Sequence, residues 1–338
     1  MKKISTLLLA FGIAMGVSAQ QHGAMRFAGV ANFSVAGVSV NVNSDTVVYA
    51  GTTGTQADIT IPQMKYSMGG RDMTIASFTI HNASFSMDMA TMTAAFGSQD
   101  YNETITVDGA EKAIKGTLEA SYQHDAFNTF TLTTTFTYGA MQMPITYVIK
   151  AYYIKEFTNS IDVTVGGQFR YSNERVTYNV RTYPENEVTK LDVEVPSYSL
   201  TNTMMGDLAI GGYTVRGLVY DETKGGYYRN YINDGLTMYF KAEQNGRVSM
   251  EDIYPLNAGT QDIFLVYEGR QAIISNAFKP GAMPFSITSA FPGTSSAGIS
   301  QLRSANNASA AVFNIAGQRV SNGAKGLLIK DGKKYLVK

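Results

Sequence analysis

The pentapeptide Asp58-Ile59-Thr60-Ile61-Pro62 recurs later in the chain as Asp192-Val193-Glu194-Val195-Pro196. Each copy is followed by a second matched block, Met73-Thr74-Ile75-Ala76-Ser77-Phe78-Thr79-Ile80 in one case and Leu208-Ala209-Ile210-Gly211-Gly212-Tyr213-Thr214-Val215 in the other. Apolar residues alternate along both pentapeptides, which is the pattern of a strand with one buried face. A proline near the strand end loses little by lacking an N–H. Two blocks that recur in the same order predict a duplicated β domain.

Short alternating segments separated by turn residues fill both copies. In the clearest pair, Gly139-Ala140 turns the chain between two faces of alternating residues. The first face is Phe130, Leu132, Thr134, Phe136 and Tyr138, and the second is Met143, Ile145, Tyr147 and Ile149. Gln244-Asn245-Gly246 contains Asn-Gly, the strongest short hairpin signal. About eight to ten short strands per copy, without an amphipathic helix, predict an all-β barrel or sandwich.

The N-terminus has the features of a signal peptide at residues 1–19. Lys2 and Lys3 precede an apolar run, and Val17-Ser18-Ala19 is a small-residue cleavage site. A retained membrane anchor is the alternative, although the run is short for a transmembrane helix. We therefore expect an exported protein that is periplasmic, at the cell surface or extracellular. The chain has no cysteine, so each domain must be stable without disulfides.

Charge is unevenly distributed along a chain with 27 basic and 27 acidic residues. We predict domains at residues 25–154 and 156–290, a linker at 291–310 that is rich in Ser, Ala, Gly and Asn, and a tail at 311–338. Both domains are mildly acidic, whereas Asp331 is the only acidic residue of the basic tail. Acidic domains exclude nucleic acid as the main partner, because phosphate binding needs clustered cations.

The two copies resemble the calycin-like (lipocalin-like) β-barrel domain of secreted bacterial proteins. The likeness rests on the strand and turn spacing, on the (Ile/Val)-x-(Ile/Val)-Pro stretch, and on the following strand that ends in Phe-Thr-Ile or Tyr-Thr-Val. The resemblance covers residues 25 to 290. It implies two tandem antiparallel up-and-down barrels, and it brings no established activity and no catalytic residues.

The tail resembles the C-terminal sorting signal of type IX secretion. The likeness lies in Val312-Phe313-Asn314-Ile315-Ala316-Gly317-Gln318-Arg319-Val320, with Gly326-Leu327-Leu328-Ile329 and residues 333–338 matching later strands. The resemblance implies that the tail contacts export machinery or the cell envelope. A small structural cap is the alternative interpretation.

No catalytic or metal-binding constellation is evident in the sequence. His81 aligns with Arg216 in the other copy, and His124 has no partner at metal spacing, so we interpret both as surface residues. Asp192 and Glu194 share one strand face, which we interpret as solvated. Glu251-Asp252 is a weak calcium candidate. A Gly-x-Ser-x-Gly motif is absent. We therefore predict a protein that is not an enzyme and needs neither metal nor cofactor.

Methionine is the residue type that most suggests a binding function, with 16 in the chain. Flexible Met side chains suit an adaptable apolar cavity, although core packing and cuprous copper binding are alternatives. We predict a small apolar or amphipathic ligand in a barrel mouth. The predicted lining residues are Met87, Met89, Phe136, Met143, Ile145 and Tyr147. The alternative is a surface module whose solid barrels contact another protein or the envelope. The strands are too polar for an integral outer-membrane barrel.

Overall fold

The structure, a computed structural model, describes residues 25–53, 55–293, 312–314, 319–320, 326–330 and 333–337. The side chains of residues 41–53, 68 and 174, and of the segments after residue 293, are outside this description. The predicted signal peptide and nearly all of the predicted linker also lie outside the described residues. The described residues up to 293 belong to one compact unit and the tail to a second.

All regular structure in the described residues is β-strand. The N-terminal half contains β1 (Met25–Val35), β2 (Val38–Thr53), β3 (Gln56–Ile61), β4 (Met64–Met68), β5 (Arg71–Ile75), β6 (Phe78–Ser84), β7 (Ser86–Asp88), β8 (Thr93–Val107), β9 (Ala110–Gln123) and β10 (Thr129–Tyr138), and leads into β11 (Ile145–Val165). The C-terminal half continues with β12 (Phe169–Glu185), β13 (Val188–Val195), β14 (Tyr198–Thr203), β15 (Gly206–Ile210), β16 (Tyr213–Asp221), β17 (Gly226–Asn230), β18 (Thr237–Gln244), β19 (Arg247–Pro255), β20 (Asp262–Glu268), β21 (Gln271–Phe278) and β22 (Ile287–Phe291). No described segment is a helix long and apolar enough to cross a membrane.

The C-terminal half contains one closed antiparallel barrel of eight strands. Its ladders run from β11 through β12, β13, β16, β17, β20, β21 and β22, and β22 pairs with β11 again. Barrel neighbours follow one another along the chain except at two excursions. These excursions, β14–β15 and β18–β19, form a separate four-stranded sheet. The all-β prediction is confirmed, and so is an eight-stranded antiparallel barrel for this half.

The N-terminal half has the same order of strands with one interruption. β1 pairs with β2 and β11, β2 with β3, and β3 with β6. On the other side, β7, β8, β9, β10 and β11 pair in sequence. The ring of ladders is broken at Phe85, which separates β6 from β7. The second closed barrel of the prediction is therefore not shown.

A single long strand, β11, belongs to both halves. Residues 145–153 of β11 pair with β1, and residues 154–165 pair with β12. The predicted domain limits at residues 154 and 156 fall inside this strand. Because one strand completes the N-terminal sheet and begins the barrel, no flexible linker separates the two halves.

The repeated blocks of the sequence are paired strands with equivalent registers. Ile59 pairs with Ile80 in the first copy, and Val193 pairs with Val215 in the second. Both ladders shift register immediately before these residues, between Ala57 and Ile59 and between Leu191 and Val193. The shared blocks therefore encode a strand pair and its bulge.

The aspartate that opens each pentapeptide stabilises that bulge. The Oδ1 atom of Asp58 accepts a hydrogen bond of 2.9 Å from the N–H of Asn82. Asp192 Oδ1 accepts the equivalent bond of 2.9 Å from the N–H of Gly217. Asn82 and Gly217 both have positive φ, 54° and 67°, a conformation that glycine and asparagine adopt most readily. The duplicated carboxylate thus satisfies a backbone donor at a conformationally demanding position.

Each half has its own hydrophobic core. The core of the N-terminal half includes Phe27, Phe130 and Phe136, each 1 % exposed. In the C-terminal half, Phe240 and Phe278 are 0 % exposed within a separate cluster. Burial of an aromatic side chain contributes on the order of 2–3 kcal/mol, so these rings are a main source of stability for a chain without disulfides.

Two local predictions agree with the structure, whereas the one for Met143 does not. The alternating face of β10 is buried, and the Asn-Gly hairpin connects β18 to β19 with Asn245 and Gly246 at positive φ. Met143, however, lies in the loop before β11 and is 40 % exposed. Pro144 follows it directly and lacks an N–H for the ladder, so the strand begins only at Ile145.

The described residues of the tail form four short strands, as its sequence pattern predicts. They are β23 (Val312–Asn314), β24 (Arg319–Val320), β25 (Gly326–Lys330) and β26 (Lys333–Val337). They form a sheet in the order β24, β23, β25, β26. The tail is therefore a small β unit in its own right.

Candidate functional site

The interior of the closed barrel opens to the surface in a cleft of about 560 Å³, which we call the barrel mouth. Val180 in β12 and Leu265 in β20 are buried in the barrel core. Thr182 and Tyr267 follow them by two residues on the same strands and therefore face the same side. Both line the cleft, which shows that it continues the inner face of the barrel.

The N-terminal half forms the opposite wall of the barrel mouth. Phe127 and Asn128, in the loop between β9 and β10, line the cleft together with Tyr153. The N–H of Tyr153 donates a hydrogen bond of 3.2 Å to the carbonyl oxygen of Asn128. This bond holds the loop against β11, so the wall is positioned by regular structure rather than by a free loop.

Lys155 is the positive charge of the barrel mouth. Its Nζ atom lies 4.8 Å from the ring centroid of Phe157 and 5.8 Å from that of Tyr267, within the range of a cation–π interaction. Burial, and then the nearby charge of Arg270, lowers the pKa of Lys155. Among the side chains that the structure describes, Lys155 forms no ion pair with a carboxylate. The ammonium group is therefore held by aromatic faces without a counterion.

Two tyrosines complete the polar and aromatic lining. Tyr267 is 36 % exposed and its hydroxyl is hydrogen-bonded with Thr182. Tyr227, on the neighbouring strand β17, is partly buried and packs against the barrel core. Burial raises the pKa of both phenols, so both remain neutral near neutral pH. They offer ring faces and hydroxyl groups but no negative charge.

The barrel mouth is shallow, because the interior below it is filled. Four tyrosines occupy that interior, each no more than 8 % exposed: Tyr178, Tyr198, Tyr213 and Tyr231. Tyr213 and Tyr231 hydroxyls lie 3.1 Å apart, and Tyr231 donates to Asn276 Oδ1 at 2.9 Å. Hydrogen-bonded buried groups are costly to separate. A ligand at the mouth therefore lies on this filled core and does not extend down the barrel axis.

The internal repeat shows that Lys155 is specific to the C-terminal half. Phe27 pairs with Val48, and Phe157 pairs with Tyr178, at equivalent positions of the first hairpin of each half. Two residues earlier, the N-terminal half has Met25, which is 5 % exposed, and the C-terminal half has Lys155. The same strand position is thus a core residue in one copy and a cation in the other.

A second cleft lies between the halves and is lined by charged residues. Arg26 Nη atoms lie 3.7 Å from Glu156 and 3.6 Å from Glu194. Asp192 forms ion pairs with Arg181 and Arg216 and accepts a hydrogen bond of 3.0 Å from the Tyr183 hydroxyl. The cleft has a volume of about 120 Å³, well below the roughly 300–1,000 Å³ of small-molecule sites. We interpret it as a structural ion-pair network.

A third depression, of about 600 Å³, lies on the outer face of the N-terminal half and includes Asp88, His124 and Asp125. Asp88 accepts hydrogen bonds from the Ala90 N–H and the Thr91 hydroxyl, both 2.8 Å. Asp125 accepts in the same way from Thr129. These carboxylates therefore stabilise their own turns. Within the described residues, no three His, Cys, Asp or Glu side chains are arranged to hold a metal ion.

The six predicted ligand-binding residues lie in the N-terminal half, in different environments. Phe136, Ile145 and Tyr147 are core residues, no more than 2 % exposed, and Phe136 pairs directly with Ile145. Met87 is partly buried against that core, Met89 is in the following turn, and Met143 is exposed. Three of the six are thus brought together by packing, and none of the six lines the barrel mouth.

The polar candidates have structural partners. His81 is exposed, with Nδ1 3.1 Å from Glu103 Oε1. His124 is also exposed and contacts Asn128 Oδ1 at 2.7 Å through Nδ1. Glu194 is exposed as expected, whereas Asp192 is 5 % exposed. The prediction of a fully solvated strand face is therefore wrong for Asp192, because the bulge turns its carboxylate toward the two arginines.

The sequence interpretation missed Lys155, Tyr227 and Tyr267. Their strands are far apart in the chain, and only barrel closure brings them to one opening. One available signal was the difference between the copies. Aligning Phe27 with Phe157 places Met25 against Lys155, a core residue replaced by a charge on an inward-facing strand position.

Comparisons with known proteins give little further information. No family model matches the chain, and no curated protein matches it. One similar solved structure is a Bacteroides fragilis protein provisionally described as an outer membrane protein. The two are 15 % identical, with 81 % of this chain and 97 % of the other covered, and the TM-score is 0.25. At this TM-score the similarity supports no conclusion about fold or function.

Proposed function

We propose that the chain is an exported, non-enzymatic binding protein that holds a small amphipathic molecule at the barrel mouth. The observation that carries this proposal is the Lys155 ammonium, which has no carboxylate partner among the described residues and lies among the aromatic side chains of an opening of about 560 Å³. Binding sites of small molecules combine apolar and aromatic walls with a few polar groups that fix orientation. The mouth has this composition, and a nucleophile paired with a base is not part of its lining.

Under this proposal the N-terminal half is a second, solid lipocalin-like barrel that supports the first. What supports this is that the Gln99 side chain links β6 and β8 next to the interruption at Phe85. Gln99 Oε1 accepts from the Ser84 N–H at 2.8 Å, and Gln99 Nε2 donates to the Ser84 carbonyl at 2.9 Å. A side-chain amide can thus replace one ladder pair. The N-terminal half also supplies Phe127 and Tyr153 to the mouth.

Native mass spectrometry of the protein purified from its source tests this proposal. We expect a co-purifying small molecule that is lost in a Tyr227→Ala/Tyr267→Ala double variant. A Tyr239→Ala variant is the matched control, because Tyr239 is 38 % exposed and belongs to the separate sheet. Protein from the source without any bound molecule, or a molecule that both variants retain equally, contradicts the proposal.

A second candidate function, a protein-interaction module, is favoured by strand β19. In the described part of the chain β19 pairs only with β18, and Val248 and Ile253 on it are 43 % and 64 % exposed. Long exposed edge strands are sites of strand addition. Association with washed cell envelopes that is lost in an Ile253→Lys variant, while the bound molecule is unchanged, would favour this second function. Envelope association that is unaffected by Ile253→Lys would exclude strand β19 as the site of this interaction.

A further inference from the structure

The barrel mouth has a charge and a depth that restrict what it can hold. Within the part of the chain that the structure describes, Lys155 has no carboxylate partner, and the described residues that line the mouth include no acidic side chain. The positive charge of Arg270 also acts on Lys155. Lys155 is exposed, so its ammonium is accessible to a ligand, and a charge-assisted hydrogen bond from it to an anionic group is a strong one. The mouth is therefore complementary to an anion.

The aromatic walls of the mouth are suited to packing against a ring of the ligand. Phe127, Tyr153, Tyr227 and Tyr267 all contribute to the lining. Aromatic side chains pack on flat or ring-shaped apolar groups with little loss of conformational entropy. The Lys155 ammonium lies 5.8 Å from the centre of the Tyr267 ring. A ring packed against Tyr267 would therefore place an attached anionic group within reach of Lys155.

The filled interior excludes a long acyl chain. Val180 is 1 % exposed at the base of the mouth, and Tyr178 is 0 % exposed below it. The deeper network of Tyr213, Tyr231 and Asn276 is closed by hydrogen bonds of 2.8–3.1 Å. Inserting a chain would break these bonds and leave buried polar groups unpaired. The ligand must consequently be compact.

From this geometry we propose that the ligand is a compact ring-bearing carboxylate, bound with its ring against the mouth tyrosines and its carboxylate on Lys155. This inference rests on the proposed binding function and specifies its ligand class. The mouth tyrosines and Lys155 then have distinct roles. The tyrosine rings select the shape of the ligand, and Lys155 selects its negative charge. Met25, at the equivalent position of the N-terminal half, provides no such charge.

Isothermal titration calorimetry with three probes tests the inference. The probes are naphthalene-2-carboxylate, its neutral carboxamide, and palmitate. We expect the carboxylate to bind, the carboxamide to bind about tenfold more weakly because a charge-assisted bond is lost, and palmitate to bind no more tightly than the naphthoate. Lys155→Gln should weaken naphthoate binding about tenfold, and Lys150→Gln, on the exposed side of the same strand, should not.

Four results would overturn the inference: absent naphthoate binding, equal affinity for the carboxamide, an unaffected Lys155→Gln variant, or tighter binding of palmitate. Failure of the inference is distinguishable from failure of the proposed function. A co-purified molecule that depends on Tyr227 and Tyr267 but is neutral or long-chained would overturn the carboxylate assignment and leave binding at the mouth intact.

Discussion

The Nζ atom of Lys155 lies 4.8 Å from the ring centroid of Phe157. The two residues are on the same face of β11, the strand that both halves share. Phe157 is a core residue of the closed barrel, 7 % exposed, and Lys155 lies one step nearer to the opening. The position of the charge is therefore fixed by the same strand that builds the fold.

Loss of the bulge carboxylate should affect the two halves differently. Asp192→Ala removes the carboxylate that pairs with the Arg181 side chain, which is 12 % exposed, and we expect a loss of about 3 kcal/mol in the free energy of unfolding. Asp58→Ala removes one hydrogen bond at a half-buried position and should cost about 1 kcal/mol. Urea denaturation measures both. Equal losses in the two variants would contradict the role assigned to the buried ion pairs.

The cost of substituting Gly217, whose N–H donates to Asp192, should depend on how well the new residue adopts a positive φ. Gly217 has φ of 67°, and a Cβ there would make only ordinary contacts, 3.8 Å or longer. Gly217→Ala should therefore cost about 1 kcal/mol, through conformation alone. Gly217→Asn should cost less, since Asn82 occupies the equivalent position at φ 54° and asparagine tolerates this region. A lower urea midpoint for Gly217→Asn than for Gly217→Ala would contradict this account.

Stability should fall at alkaline pH because of buried tyrosines. Burial raises the pKa of Tyr178 above its ordinary value, to about 12. The folded state therefore retains the proton more tightly than the unfolded state, so the contribution is complete below pH 10 and is lost between about pH 10 and 12. A shift of this size corresponds to about 2–3 kcal/mol.

The free energy of unfolding of the Tyr178→Phe variant should fall less steeply over this pH range than that of the unsubstituted protein, as measured by urea denaturation at successive pH values. Tyr220→Phe, at a residue that is 54 % exposed, is the control and should leave the curve unchanged. A decline of the same steepness in Tyr178→Phe would show that this phenol does not cause it.

Binding of a carboxylate at the mouth should weaken at alkaline pH. The pKa of Lys155 is lowered by burial and by Arg270, so its charge is lost at a pH below that of an ordinary lysine. Burial raises the pKa values of Tyr227 and Tyr267, so their phenols keep their protons to a higher pH than ordinary tyrosines do. Affinity for naphthalene-2-carboxylate should therefore fall as Lys155 deprotonates, while the weaker affinity of the carboxamide stays constant. Parallel pH profiles for the two probes, followed by calorimetry, would contradict this.

Much of the fold follows from the local alternation of apolar and polar residues, because every second residue of a barrel strand faces the core. The matched pentapeptides predict equivalent strand pairs, and Ile59–Ile80 and Val193–Val215 are paired accordingly. The bulge itself was not predicted, since the shift depends on a hydrogen bond between residues 25 positions apart, Asp192 and Gly217. The link between β6 and β8 likewise depends on a side chain, Gln99, rather than on strand pattern.

The candidate site was less predictable than the fold. Strand alternation places Phe136, Ile145 and Tyr147 on one face, but it does not tell whether that face surrounds a cavity, and the structure fills it. Lys155, Thr182 and Tyr267 come from three strands whose ends meet only when the ring closes. Comparison of the two copies at Met25 and Lys155 gives the clearest sequence signal for the site.

Chemical-shift mapping of the ¹⁵N-labelled protein during titration with naphthalene-2-carboxylate tests the central claim most directly. Binding at the barrel mouth predicts that the largest perturbations fall on residues 126–128, Lys155, Thr182, Tyr267 and Gly269, which surround the opening. Met143 and Ile145 of the N-terminal half should be unaffected. Perturbations centred on Met143 and Ile145, or no perturbation at Lys155 and Tyr267, would contradict the account.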